Sequence, residues 1–250
     1  MRGKGLVLAA LVVGMSLLAA CHKKDQGEAP VAASGGFEPL KVEVASLKQT
    51  QPGCQGEDCP SVDAEWLRFP SDPALSALVE RELVAVASEH KQATVAAFAQ
   101  DYLKSADRRW NVTLQAKLVR QQGSLLVLDL AAYDYTGGAH GNPADHVLNY
   151  DRARRKVLSL DDVVQLGQAH RFWQLAQAQH KAWAAPQLKD DPDYLKTWPF
   201  QMTDNFVLGE KGLVLKYSAY AIGPYSEGEP EITIPYTQLA GIIRPEWTLK

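Results

Sequence analysis

Three consecutive runs between Trp110 and Asp151 constrain the fold most. Trp110 to Arg120 alternates Trp, Val, Leu, Ala and Leu with polar residues, the period of a strand with one apolar face. Gln121-Gln122-Gly123-Ser124 has the composition of a hairpin turn. Leu125 to Tyr135 then runs back, and the loop Gly137-Gly138-Ala139-His140-Gly141-Asn142-Pro143 leads into a third run, His146 to Asp151. Connections this short leave no room for a parallel crossover, so the three runs predict an antiparallel meander.

The flanking segments supply partners for such a sheet. Leu40 to Leu47 and Val62 to Phe69 alternate and read as strands. Pro70-Ser71-Asp72-Pro73 opens a helical pattern, with Ser71 or Asp72 as cap and Pro73 suited to the first turn. Its apolar stripe is Leu75, Leu78, Val79, Leu83 and Val86, continued by Val95, Phe98 and Tyr102 after a break near Ser88 to Lys91. Beyond the meander, Ser159 to Leu166 reads as a capped helical turn and Ala169 to Ala185 as a second amphipathic helix. Residues 186–205 are polar. Phe206 to Leu208, Leu213 to Tyr217 and Ile232 to Ile234 are short strands, and Pro235 to Ile243 is expected to form a closing helix. Strand runs and helix runs are segregated, which predicts an α+β fold: antiparallel sheets packed with amphipathic helices in two small subdomains. The boundaries expected are 40–155 and 156–250.

The first residues read as an export signal. Arg2 and Lys4 precede an uncharged apolar run from Leu6 to Ala20, which ends Leu18-Ala19-Ala20-Cys21. The run is shorter than the ~20 residues of a spanning helix, and small residues before a cysteine match a lipoprotein cleavage site. Residues 1–20 are therefore expected to be removed, with Cys21 acylated and inserted in the bilayer. His22 is not the aspartate that often retains lipoproteins at the inner membrane of enteric bacteria, which points to the periplasmic side of the outer membrane. Residues 21–39, rich in Lys, Gly, Ala, Pro, Ser and Glu, form a flexible linker. In an oxidising compartment, Cys54 and Cys59 are expected to pair as a disulfide. Loss of Arg2 and Lys4 takes the net charge from −3 to −5. A chain this acidic offers no basic surface for nucleic acid.

Two segments carry a resemblance. One is Tyr133-Asp-Tyr-Thr-Gly-Gly-Ala-His-Gly-Asn142. The other runs from Phe206 through Gly212-Leu213-Val214-Leu215 and Ala221-Ile222-Gly223-Pro224-Tyr225-Ser226-Glu227-Gly228 to Ile232-Thr233-Ile234-Pro235-Tyr236. Together they resemble the RsiV-like family, whose namesake is a lysozyme-sensing anti-sigma regulator and whose exported part joins two small domains. The resemblance implies a binding surface for lysozyme or for cell-wall material. It does not carry over sigma regulation, since no sigma-binding segment is present, nor the deacetylase chemistry of enzymes with similar domain pairs.

Catalytic constellations are sparse. No nucleophile elbow, zinc-protease helix or phosphate-binding glycine loop occurs, and no metal or cofactor is expected. His140 with Asp134 or Asp145 is the one arrangement that suggests acid–base work in a cell-wall hydrolase or accessory enzyme. The structural reading of the same loop gives Gly137 and Gly138 the backbone angles and His140 a locking hydrogen bond. Arg152-Ala-Arg-Arg-Lys156 is a basic run in a turn, read as a solvated face or an anion contact. Tyr225 with Glu227, Glu229 and Glu231 is the candidate partner contact, an aromatic anchor beside acidic charge. The expected function is thus a non-catalytic binding module of the envelope, for lysozyme-type muramidases or peptidoglycan. The alternatives are the His140 enzyme and a structural lipoprotein without ligand.

Overall fold

Antiparallel pairing organises most of the larger sheet. The computed structural model describes residues 36–87 and 92–248. Cys21, the signal segment and most of the linker lie outside them. The strands β1 (Glu43–Thr50), β2 (Ser61–Arg68), β3 (Asn111–Gln122), β4 (Leu125–Tyr135), β5 (Asn142–Asp151) and β6 (Lys156–Val157) form one sheet in chain order. The meander is β3–β4–β5, with Leu114 opposite Ala132 and Leu130 opposite His146. The Cys54–Cys59 disulfide closes the turn between β1 and β2.

One pairing departs from the expected antiparallel order. β2 and β3 run parallel, with Val62 beside Val112, so the sheet is mixed. Parallel neighbours need a long crossover, and here it is made by α1 (Pro73–Ala87) and α2 (Val95–Ser105). Alternation tells which residues face inward but not the direction of the neighbouring strand, so this pairing is invisible in the pattern.

The helices are placed by their caps and stripes. Asp72 Oδ1 accepts the Leu75 amide at 3.0 Å, and Thr94 caps α2 by accepting the Ala97 amide at 3.2 Å. Leu75, Val79, Leu83 and Val84 of α1 and Val95, Phe98, Ala99 and Leu103 of α2 are buried. They share a core with Leu126, Leu128, Leu130 and Ala132 of β4 and with Leu148 and Tyr150 of β5. The break expected at Ser88 to Lys91 falls outside the described residues.

A second layer follows. The turn α3 (Leu160–Val163) carries a full capping box: Asp162 and Ser159 bond each other's backbone amides. Helix α4 (Ala169–Trp183) packs on a small antiparallel sheet of β7 (Phe206–Leu208), β8 (Gly212–Lys216) and β9 (Glu231–Pro235). A short helix, α5 (Tyr194–Thr197), lies within the polar stretch 186–205. The closing helix expected over Pro235 to Ile243 is absent. Past β9 the chain turns through residues 236–242, and Ile243 bridges Val164. Leu239, Ile242 and Ile243 are buried at helical spacing, but Gly241 sits at φ 70°, which ends any helix there.

The odd-numbered residues of β4 and β5 join the two layers. Leu125, Val127 and Val147 belong to the second core, with Phe172, Leu213 and Ile234. Both strands therefore have protein on either face where the layers meet. Asn149, fully buried, spans the junction: its amide donates to Phe206 O at 2.7 Å and its carbonyl accepts from Leu208 N at 3.1 Å.

Candidate functional site

Both resemblance segments meet at one end of the β4–β5 hairpin. The imidazole of His140 stacks on the ring of Tyr225, with centroids 4.0 Å apart and planes 20° from parallel. Tyr220 lies beyond it, 5.5 Å from Tyr225. His140 and Tyr220 are exposed and Tyr225 half-buried, so the three rings make an open aromatic surface.

The loop holding His140 is fastened by its own tyrosines. Tyr133 Oη accepts the Gly141 amide at 2.9 Å, and Tyr135 Oη donates to Gly138 O at 3.0 Å. His140 Nδ1 lies 3.0 Å from Gly141 O, and Tyr225 Oη donates to the same carbonyl at 3.4 Å. Gly137 and Gly138 sit at φ 99° and 98°, the left-handed region that side chains avoid. Gly141 is buried for a different reason. A Cβ there would lie 2.5 Å from Tyr133 Cζ and 2.7 Å from Asp134 O.

A charged cluster joins β4, β5 and β8. Lys216 of β8 reaches Asp145 of β5 at 2.8 Å and Asp129 of β4 at 3.1 Å. Asp145 Oδ2 also accepts from Asn205 Nδ2 at 3.1 Å, and Asn205 Oδ1 accepts the Val147 amide at 2.8 Å. Burial works against the Lys216 ammonium, but hydrogen bonds and charge from Asp145 and Asp129 outweigh it and raise its pKa. Burial pushes the Glu229 carboxyl above its ordinary range, and the Asp145 charge adds to this while Lys216 opposes it.

The three expected glutamates thus have separate neighbours. Glu227 accepts from Gln187 Nε2 at 3.1 Å, Glu229 lies against Asp145, and Glu231 is exposed opposite Lys216 on β9. The basic run is engaged internally. Arg152 donates to Glu38 O, Arg154 pairs with Asp151 at 2.6 Å, Arg155 with Asp72 at 3.7 Å and Lys156 with Asp162 at 2.6 Å.

Asp134 and Asp145, the two carboxylates considered with His140, point to opposite faces of the sheet. Asp134 shares the face of Leu130 and Ala132, under α2, whereas Asp145 faces the second layer. Among the described residues no group of three or more His, Cys, Asp or Glu is arranged to hold a metal. Lys216, Asp129, Asn205 and Tyr220 were not singled out by sequence. A charge inside Leu213-Val214-Leu215-Lys216-Tyr217, and another inside Leu125 to Leu130, were the signals available.

Known proteins share this architecture. A family model described as "Protein of unknown function (DUF3298)" matches residues 161–237. The crystal structure of a DUF3298 family protein from Pseudomonas aeruginosa PAO1 is 43% identical, with a TM-score of 0.80, over 85% of this chain and 98% of that one. A DUF3298 family member from Bacteroides fragilis NCTC 9343 shares the fold at 21% identity and a TM-score of 0.66, over 83% of this chain and 94% of its own. The peptidoglycan-N-acetylmuramic acid deacetylase PdaC of Bacillus subtilis strain 168 is 23% identical over 143 residues, or 56% of this chain. The chain spans only 31% of that enzyme's length. With 43% identity across nearly all of the Pseudomonas structure, this chain belongs to the DUF3298 family.

Proposed function

We propose that this chain is an envelope lipoprotein, acylated at Cys21 on the periplasmic side of the outer membrane, that binds peptidoglycan without cleaving or modifying it. The observation that carries this reading is the open surface of His140, Tyr225 and Tyr220. Flat rings exposed side by side suit the C–H faces of sugar rings, and aromatic anchors commonly dominate binding energy. The partial match to a peptidoglycan deacetylase supports the same substrate class. The Cys54–Cys59 disulfide supports an oxidising compartment. The RsiV-like resemblance, with the acidic net charge, favours a second reading in which the partner is a cationic lysozyme-type muramidase.

The test is calorimetric titration of the purified protein with soluble muropeptides and, separately, with lysozyme. Muropeptide binding that weakens about tenfold or more in Tyr225→Ala supports the main reading. Lysozyme binding alone replaces it with the second, and heat from neither titrant overturns both. Release of new reducing ends or acetate from peptidoglycan would show the chain to be an enzyme.

A further inference from the structure

A cavity of about 270 Å³ lies between α2 and the ends of β3 and β4. It sits on the Asp134 face of the sheet, and His140 and Tyr225 are not among its lining residues. Phe98, Tyr102 and Trp110 give it aromatic walls, and Gln92, Asp101 and Asp134 line it with polar groups. Its size is just under the ~300–1,000 Å³ of pockets for drug-sized ligands, which suits one small group.

Three buried atoms in this lining have no hydrogen-bond partner among the described residues: Asp134 Oδ1, Tyr102 Oη and Gln92 Oε1. Buried polar atoms are nearly always bonded, so three in one cavity is a concentration that a ligand explains. Two of the three are acceptors only, and the third both donates and accepts. The Asp134 carboxylate accepts only. The Gln92 amide is oriented by its Nε2, which donates to Asp101 Oδ2 at 2.9 Å, and this leaves its carbonyl oxygen as an acceptor. The Tyr102 hydroxyl can accept as well. No Lys, Arg or His appears among the described lining residues.

We propose that this cavity binds a primary ammonium group, R–NH3+, carried on a small organic ligand. An ammonium has three donors and no acceptor, matching the three open acceptors in number and kind. Its charge neutralises Asp134, and the aromatic lining residues Phe98, Tyr102 and Trp110 leave room for the carbon chain that carries it. Burial alone already holds the Asp134 carboxyl above its ordinary range. Burial and then the Asp134 charge push the Tyr102 phenol up as well. A cation between them reverses both effects. Among the described residues, the titratable groups facing the cavity are Asp134 from β4 and Tyr102 and Asp101 from α2. Such an amine can belong to an alkyl diamine, to the side-chain amine of a diamino acid, or to an amino sugar lacking its acetyl group.

The experiment is calorimetric titration of the full-length protein in detergent with 1,5-diaminopentane, Nα-acetyl-lysine and glucosamine, with N-acetylglucosamine as the neutral control. At least one amine is expected to bind at one site, and N-acetylglucosamine is not. The amine that binds tightest identifies the source. Asp134→Asn is expected to weaken binding about tenfold or more, while its thermal midpoint without ligand equals or exceeds that of the parent, because a half-buried carboxylate with one unpaired oxygen is gone. Tyr102→Phe is expected to weaken binding less. Failure of every amine to bind, equal binding of N-acetylglucosamine and glucosamine, or undiminished amine binding by Asp134→Asn would each overturn the proposal. The Tyr225→Ala variant should keep full amine affinity, which separates this site from the peptidoglycan surface.

Discussion

Asn149 of β5 holds the second layer by its side chain: one amide group bonds both Phe206 O and Leu208 N of β7. These are the strand-edge groups that β8 does not reach, so a side chain stands in for a missing backbone neighbour. Asn149→Leu keeps the volume but orphans two buried backbone groups, at about 1–3 kcal/mol each. The urea midpoint should fall markedly with the m-value unchanged. A midpoint within error of the parent would show that the two bonds are dispensable.

Lys216 is held between Asp145 and Asp129, and Asp145 has little water to turn to, its side chain being 5% exposed. Lys216→Met should therefore cost about 3–5 kcal/mol at neutral pH, the usual result of stripping one partner from a buried pair. Adding Asp145→Asn should restore much of the loss, because the more buried of the two carboxylates is then neutral, and Asp129, 30% exposed, still meets water. A double variant as unstable as the single one would locate the damage in packing and not in charge.

His180 gives the fold a dependence on acid. Its ring is 2% exposed, stacked 5.7 Å from Trp183 and close to Phe200. Burial lowers its pKa, with a bond to the Ile222 backbone opposing. The folded pKa is below the unfolded one, so its contribution is complete above about pH 6.5 and is lost as pH falls through the folded value. The thermal midpoint should drop between about pH 7 and about pH 5, and His180→Gln should flatten that drop. Parallel curves for the two proteins would assign the acid sensitivity elsewhere.

Gly141→Ala tests the aromatic surface without touching a ring. The added methyl would meet Tyr133 and the Asp134 carbonyl, so the loop must shift and His140 must leave its place on Tyr225. Ligand affinity at that surface should fall about as far as in Tyr225→Ala, with a modest loss of stability. Unchanged affinity would mean that His140 is not part of the contact.

Facing was legible in the sequence; direction and partnership were not. The alternation from Trp110 to Asp151 identified the meander, and the Asp72 and Ser159 caps were visible beside their helices. The parallel β2–β3 pairing was hidden because a strand's apolar period is the same read in either direction. The turn after β9 looks helical in sequence because Leu239, Ile242 and Ile243 keep a helix period, while Gly241 adopts a left-handed backbone that ends it. At the site, the glycine loop and Tyr225 stood out as separate features. Their contact depends on how the second layer docks on β5, and local patterns carry no such distance. Pairing His140 with Asp134 assumed that closeness in sequence brings side chains together. Strand pleating instead sends Asp134 to the helix side, where Tyr102 and Trp110 meet it.

Leu125, Val127 and Val147 present one side of the large sheet to the small one, and this limits how the molecule can be divided. A fragment cut after residue 155 would expose that greasy stripe to solvent and self-associate through it. A fragment restricted to residues 161–237, the span of the family model, would have three short strands with no floor beneath them. Protease nicking between the halves should therefore leave a tight, co-migrating pair of fragments, and any gene fusion or swap among relatives must carry both halves together.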